Sequence, residues 1–286
     1  MTRTAVGMWR RLSYALAGVM LAWATFATLP LAAATPGAQA AAPPGTFTIT
    51  GDPESAEGAA WRFQGKVDGV RYDLTGVLLK PKGDGPFPAV VLSHGAQGSA
   101  AMIARMVGQT MRGWSMVVIA VNYTHASGVP MGSPGDARDR GASRANVERA
   151  HMAHDLLARL GYVDMTRVAL HGHSMGAYLE AAAASRYPSD FRVASTTGGG
   201  VRPDRFFAGA APGASDVAHI RIPFQLHHGD SDETVPLEYD QRFAALLQER
   251  NVPHELYVYP GGHLAPRADP LMFERVRAWY ARFGMF

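Results

Sequence analysis

The sequence predicts a single α/β domain with a mostly parallel central sheet, helices on both faces and no large cap domain. Strand-length apolar runs alternate with helical patterns from residue 87 to the C-terminus, which is typical of βαβ units. One of these runs, 168–171, passes through a glycine-rich turn directly into a helix-like segment at 177–186. Two later runs, 223–228 and 255–259, end in polar loops.

The other elements follow from the same periodicities. Strands are expected at 46–50, 60–66 and 72–80, with the last two joined by a hairpin over 67–70, and these form an antiparallel edge of the sheet. The runs at 87–92 and 116–121 are apolar enough to be buried strands, and another strand is expected near 192–196. Helical patterns cover 100–112, 145–160, 237–249 and 270–283.

Residues 1–40 have the pattern of a signal peptide. Arg3, Arg10 and Arg11 precede an apolar stretch at 12–31, and Ala38-Gln39-Ala40 supplies small residues at the cleavage positions. The stretch is close to the roughly 20 residues of a membrane span, so an anchor is the alternative. We expect cleavage, with export to the periplasm or the medium by the general or the twin-arginine route. After the leader, we expect a linker without regular structure at 41–45 and a catalytic domain at 46–286.

The charge and cysteine content exclude several classes of partner. The formal net charge of +3 is contributed by the three arginines of the leader, so the rest of the chain is close to neutral. We therefore expect neither nucleic acid nor an anionic membrane surface as a partner, and no stable membrane anchor after cleavage. The chain has no cysteine, which excludes disulfides and a lipid anchor on an N-terminal cysteine.

The turn Gly172-His173-Ser174-Met175-Gly176 has the Gly-x-Ser-x-Gly pattern. A serine in a tight turn between a strand and a helix has strained backbone angles, and glycines two places away leave room for neighbouring chain. The helix N-terminus favours negative charge on a reacting oxygen. Ser174 is therefore the candidate nucleophile and the N–H of Met175 a candidate oxyanion donor. The alternative is an ordinary glycine-rich connection.

Candidate partners for Ser174 follow in the chain. The strand at 223–228 leads to three carboxylates, Asp230, Asp232 and Glu233, and the strand at 255–259 leads to His263. The order Ser, Asp, His is that of the α/β-hydrolases.

Here the chain resembles that superfamily and, more narrowly, the dienelactone hydrolase-like and prolyl oligopeptidase-like serine esterases. Their His-Gly-x-x-Asp-x-x-Val-Pro segment matches 228–236 place by place. The resemblance implies that Asp232 is the acid, that His263 is the base and that Ala96, rather than Gln97, gives a second oxyanion N–H. Dienelactone hydrolases use a cysteine nucleophile, so the resemblance does not extend to that activity.

The predicted function is an exported carboxylic ester hydrolase that works through an acyl-enzyme, without cofactor or metal. Its substrate is a small-molecule or polymeric ester. A peptidase or amidase and a transacylase would use the same triad, although the related oligopeptidases carry a large extra domain. A non-catalytic binding protein on this fold is the alternative from another class. Acyl and alcohol specificity and oligomeric state are not encoded in these motifs.

Several histidines and two long loops are assigned lesser roles. His151 and His154 are three residues apart on a helix, but the pattern places no third metal ligand, so we expect them to be hydrogen-bonding residues. The same role is expected for the remaining histidines near the motifs, which are His171, His173, His227 and His228. The loops at 123–141 and 198–214 either wall the site or are plain surface connections.

Overall fold

The structure is a computed structural model that describes residues 43–123, 141–203 and 211–286. All of them belong to one unit, Pro36–Phe286. The predicted signal peptide, the first two linker residues, residues 124–140 of the first long loop and residues 204–210 of the second lie outside the described residues.

The described residues form a nine-stranded sheet with strand order β1-β2-β3-β5-β4-β6-β7-β8-β9. Strands β1, β2, β3 and β5 pair antiparallel, and all pairs from β5 through β4 to β9 are parallel. The predicted architecture is confirmed. The strands are β1 Gly45–Thr50, β2 Ala59–Val67, β3 Val70–Leu79, β4 Phe87–Ser93, β5 Val117–Val121, β6 Val163–His173, β7 Val193–Thr197, β8 Phe224–Gly229 and β9 His254–Tyr259.

Helices pack on both faces of this sheet, and none in the described part of the chain is long and apolar enough to cross a membrane. The helix predicted at 100–112 is present but has a π-helical turn, Ala104–Gly108, between two short α-helical pieces. The helices are α1 Ala100–Ile103, α2 Gln109–Gly113, α3 Arg144–Leu157, α4 Met175–Arg186, α5 Leu237–Glu249, α6 Ala265–Ala268 and α7 Pro270–Arg282.

Two hydrophobic clusters fill the space between the sheet and its helices. Ala89 and Val91 of β4 belong to one cluster, with residues of α3, α4 and α5, whereas Val90 and Leu92 belong to the other, with residues of α1 and α7. Because side chains alternate between the two faces of a strand, β4 is buried on both. Burial on both faces explains why the central strands have continuous apolar sequences.

Strand β1 begins at the last residue of the expected linker, 41–45. Gly45 is the first residue of β1 and pairs with Gly65 of β2. The carbonyl groups of Pro43 and Gly45 also accept hydrogen bonds from Arg159, beyond the end of α3. These long-range contacts, which local composition does not reveal, fix the start of the domain.

Candidate active site

Ser174 occupies the strained turn between β6 and α4. Its backbone angles are φ 57° and ψ −121°, outside the regions that an L-residue favours. The flanking glycines permit close packing, because a Cβ on Gly172 would lie 2.4 Å from the carbonyl oxygen of Gly176. A Cβ on Gly176 would lie 2.2 Å from the carbonyl oxygen of Ser93. This tight turn places the Ser174 side chain at the carboxyl edge of the parallel strands.

The loop after β4 lies against this turn. A Cβ on Gly95 would be 3.4 Å from the Cβ of Ser174, and the next residue, Ala96, is exposed. Tyr123 supports the loop by donating its hydroxyl to the carbonyl of His94 at 2.5 Å and by stacking on the His94 ring, with centroids 4.5 Å apart. Met175 is the first residue of α4, where N–H groups have no earlier helical partner. Ala96 and Met175 therefore both flank Ser174.

His263 and Asp232 are hydrogen-bonded to each other. The Nδ1 atom of His263 is 2.7 Å from Oδ2 of Asp232, and the Asp232 side chain is fully buried. The other carboxylate oxygen, Oδ1, accepts the backbone N–H groups of Thr234 at 2.8 Å and Val235 at 2.9 Å. Burial by itself would raise the pKa of Asp232, but the hydrogen bonds from Val235, His263 and Thr234 outweigh burial and hold this pKa below its ordinary value. Asp232 is therefore an ionised acceptor beneath the imidazole.

The two neighbouring carboxylates lie elsewhere. Asp230 is exposed, and its Oδ1 accepts the N–H of Gly261 at 2.9 Å, so it supports the loop that carries His263. Glu233 is also exposed. Of the three candidates, the structure brings only Asp232 against the ring.

Two residues confine the imidazole of His263. Gly198, at φ 58°, is so close that a Cβ there would lie 2.9 Å from Cε1 of the ring. The ring of His173 lies 4.9 Å from that of His263, between centroids, and burial lowers the pKa of His173 to about 3, so it is neutral at working pH. The described residues include no hydrogen bond between Ser174 and His263, and such contacts are often long before substrate binds. Sequence reasoning included Gly198 only as the first residue of the loop 198–214 and gave it no role at His263.

The hydrogen-bonding role predicted for the nearby histidines is confirmed for three of them. His173 bonds to Thr197, His227 to Tyr259 and Gln225, and His228 to Asp240 and the carbonyl of Val235. The prediction is wrong for His171, because neither of its ring nitrogens has a partner among the described residues. Burial lowers the pKa of His171 to about 3.

One group in the described residues has the composition of a metal site. His151, His154 and Asp190 place ligand atoms within 4.8 Å of one another, so the structure supplies the third group that the helical pattern lacks. Nε2 of His151 is 2.7 Å from Oδ2 of Asp190, and Nδ1 of His154 is 3.0 Å from Oδ1 of Asp155. These contacts satisfy the imidazoles as hydrogen-bonding residues, as expected. Asp190 could not be identified in advance because it lies far along the chain.

The strand order, the strained serine after β6 and the loops after β8 and β9 together define an α/β-hydrolase. Residues 74–266 match the dienelactone hydrolase family, and the chain belongs to that family. The resemblance inferred from the motifs is thereby confirmed. Membership of a hydrolase family supports an enzyme.

The chain is similar to esterases and to peptidases. It is 25% identical over 236 residues to the acylamino-acid-releasing enzyme of Homo sapiens. The match covers 69% of this chain and 31% of the human protein, so this chain spans about a third of that relative. Acylaminoacyl peptidase of Pyrococcus horikoshii superposes with a TM-score of 0.62 at 15% identity, over 83% of this chain and 42% of the peptidase. Thermogutta terrifontis esterase 2, phosphonylated by cyclosarin, superposes with a TM-score of 0.59 at 19% identity, over 78% of this chain and 93% of the esterase. At these identities the two structures show the shared fold alone.

Proposed function

We propose that the protein is an exported serine esterase that hydrolyses carboxylic esters with Ser174, His263 and Asp232. The observation that supports this most strongly is the shared location of two features at the carboxyl edge of the sheet. One is a serine at φ 57°, and the other is a histidine whose Nδ1 is 2.7 Å from a buried, ionised carboxylate. A plain glycine-rich connection would require neither the strained serine nor the buried pair.

The proposed first step is attack by the Ser174 hydroxyl on the ester carbonyl. Because Nδ1 of His263 donates to Asp232, the other ring nitrogen, Nε2, is left as the acceptor for the serine proton. Asp232 stabilises the imidazolium that results and holds the ring in this tautomer. The imidazolium then returns the proton to the leaving alcohol, and an acyl-enzyme remains on Ser174.

The N–H groups of Met175 and Ala96 are proposed to bind the oxyanion. Each donor in comparable sites is worth about 3 kcal/mol of transition-state stabilisation. The position of Ser174 as the N-cap residue of α4 supports this assignment, because the helix N-terminus that begins at Met175 favours negative charge beside the serine. Water activated by His263 then attacks the acyl-enzyme and releases the acid.

An amide substrate is the second candidate, because relatives named as acylamino-acid-releasing enzymes match this chain. A series of p-nitrophenyl esters from acetate to palmitate, with matched p-nitroanilides, distinguishes the two. We expect turnover of the esters, little turnover of the anilides and none by Ser174→Ala. Faster cleavage of anilides would make the protein an amidase. Turnover by Ser174→Ala equal to that of the wild type would refute the serine mechanism.

Export is proposed on the leader pattern of residues 1–40. N-terminal sequencing of protein recovered from the periplasm or medium is expected to begin at or near Ala41. Recovery of exported protein that still carries Arg10 would contradict cleavage at this position.

A further inference from the structure

A second histidine–aspartate pair lies directly behind Asp232. His228 is the second-last residue of β8, and Asp240 is in the first turn of α5. Nδ1 of His228 is 2.7 Å from Oδ2 of Asp240, and both side chains are fully buried. The mechanism proposed above uses neither residue.

The second nitrogen of His228 faces the acid of the proposed triad. Nε2 is 2.9 Å from the carbonyl oxygen of Val235, to which it is hydrogen-bonded, and 3.3 Å from Oδ2 of Asp232. That same Oδ2 accepts Nδ1–H of His263 at 2.7 Å. A single carboxylate oxygen therefore lies between two imidazole nitrogens.

Every one of these neighbours of His228 is an acceptor when both carboxylates are ionised. A neutral imidazole would then direct a lone pair at an oxygen, which is unfavourable in a buried site. The conflict disappears if Nδ1 and Nε2 both carry protons, or if Asp240 holds the proton and donates it to Nδ1. In both arrangements Nε2 keeps its proton, directed at Val235 and Asp232.

The surroundings favour retention of this proton. Burial by itself would lower the pKa of His228, but the hydrogen bond and charge of Asp240, the carbonyl of Val235 and the charge of Asp232 together raise it above its ordinary value. Burial raises the pKa of Asp240. The remaining titratable groups nearby are Tyr178 of α4 and Tyr239 of α5, together with His263 beyond Asp232.

We propose that His228 is a positioning residue, whose Nε2–H holds the carboxylate of Asp232 from the side opposite His263. This assignment rests on the proposed function, since it gives His228 a role only through the Asp232–His263 pair. The N–H prevents rotation of the carboxylate away from His263. The positive end of the buried pair also offsets part of the Asp232 charge, so loss of the pair strengthens the negative field of Asp232 at the site.

His228→Gln tests this role, with His227→Gln as its matched control. His227 is the adjacent residue of β8 and is equally buried and hydrogen-bonded, but it contacts Tyr259 and Gln225 rather than the acid. We expect His228→Gln to lower kcat about ten-fold or more with little change in KM. The acidic limb of its kcat profile should move to higher pH by about half a unit or more. His227→Gln should leave that limb in place. An unmoved limb in a folded His228→Gln variant would refute the proposal.

An NMR measurement in Ser174→Ala separates this proposal from the esterase assignment, because it needs no turnover. In protein labelled with ¹⁵N-histidine, we expect Nε2 of His228 to carry a proton throughout the range from about pH 5 to about pH 9. An unprotonated Nε2 at His228 would overturn the proposal even if His228→Gln does not fold. Catalytic failure of the wild type with a protonated Nε2 would instead count against the esterase assignment alone.

Discussion

The side chains of Asp232, in the loop after β8, and Glu180, in the middle of α4, are both shielded from solvent, yet their pKa values are shifted in opposite directions. Asp232 accepts three N–H groups, from Thr234, Val235 and His263, and its pKa is below the ordinary value. Glu180 accepts only the hydroxyl of Ser93, at 2.5 Å, and its Oε2 has no partner among the described residues. Burial raises the pKa of Glu180 well above its ordinary value.

The difference has two causes: N–H groups reach Asp232 where only a hydroxyl reaches Glu180, and residue 232 as a whole is half-buried whereas Glu180 is fully buried. A loop can supply donors because its backbone N–H groups are not used by a helix or sheet. The middle of a helix cannot, since its N–H groups are already bonded to carbonyls. The charged acid therefore lies on the loop, and the neutral one links α4 to the end of β4, beside the proposed oxyanion loop.

The largest expected effect is that of Asp232→Asn, because an amide cannot hold His263 in the required tautomer. We expect kcat to fall by a factor on the order of 10⁴, with little change in Tm. Steady-state kinetics and thermal unfolding on the same preparations measure both quantities. Glu180→Gln, at the other buried carboxylate, should keep most of the activity.

Asp230→Asn and Glu233→Gln are the controls within the loop. Asp230 supports Gly261, and an amide oxygen can still accept that N–H, so each variant should keep at least a tenth of kcat. If Asp230→Asn is the inactive variant and Asp232→Asn remains active, the loop must place a different carboxylate under the ring.

A smaller effect is expected from Gly198→Ala, which tests whether the backbone beside the Asp232–His263 pair confines the imidazole. The new methyl group would lie 2.9 Å from Cε1 and 3.0 Å from Nδ1 of His263, so the ring must move. A displacement of about 1 Å at a catalytic group lowers turnover by about 10²-fold. The positive φ, 58°, adds a loss of about 1 kcal/mol in the free energy of unfolding.

Gly161→Ala provides the matched control. Gly161 has a similar φ, 69°, but a Cβ there would meet no atom within 4 Å among the described residues outside its immediate neighbours. It should lose similar stability and keep full activity. Equal activity in the two variants would mean that Gly198 does not confine His263.

The last effect leaves turnover unchanged: it concerns the pH dependence of stability, and it compares the two carboxylates. Folded Glu180 stays protonated above its ordinary pKa of 4.5, whereas the unfolded chain releases that proton. Its contribution to the free energy of unfolding therefore falls as pH rises above 4.5, by up to about 1.4 kcal/mol per pH unit. Asp232 has the opposite sign, because its pKa is lowered, and its contribution is lost as pH falls below 3.8.

Urea unfolding of Glu180→Gln and of the wild type between about pH 5 and about pH 8 checks this. The difference in free energy of unfolding should grow in favour of the variant as pH rises. Glu233→Gln changes an exposed carboxylate, so its free energy of unfolding should match that of the wild type at every pH. A constant difference between Glu180→Gln and the wild type would mean that folded Glu180 is ionised.

Patterns along the chain were enough to predict the sheet and the strand-to-helix turn at Ser174, because apolar runs and glycine spacing are local properties. The choice of Asp232 came from the resemblance of 228–236 to a family segment, since the three carboxylates of this loop do not differ in local pattern. Contacts between distant elements that the resemblance does not imply were not predictable. Gly198 against His263, Asp240 of α5 against His228, and Ser93 of β4 against Glu180 all depend on how helices and strands pack. Glu180 lies in an alanine-rich helix, but the sequence does not indicate that Ser93 is its partner.

The nucleophile is the central claim, and covalent labelling tests it most directly. A fluorophosphonate requires a serine activated by a neighbouring base and an oxyanion site, and it reports on both without any assumption about the substrate. We predict stoichiometric labelling of the wild type, with the adduct mapped by peptide mass spectrometry to Ser174 and strongly slowed in Asp232→Asn. Labelling of another residue while Ser174 stays free would contradict the account.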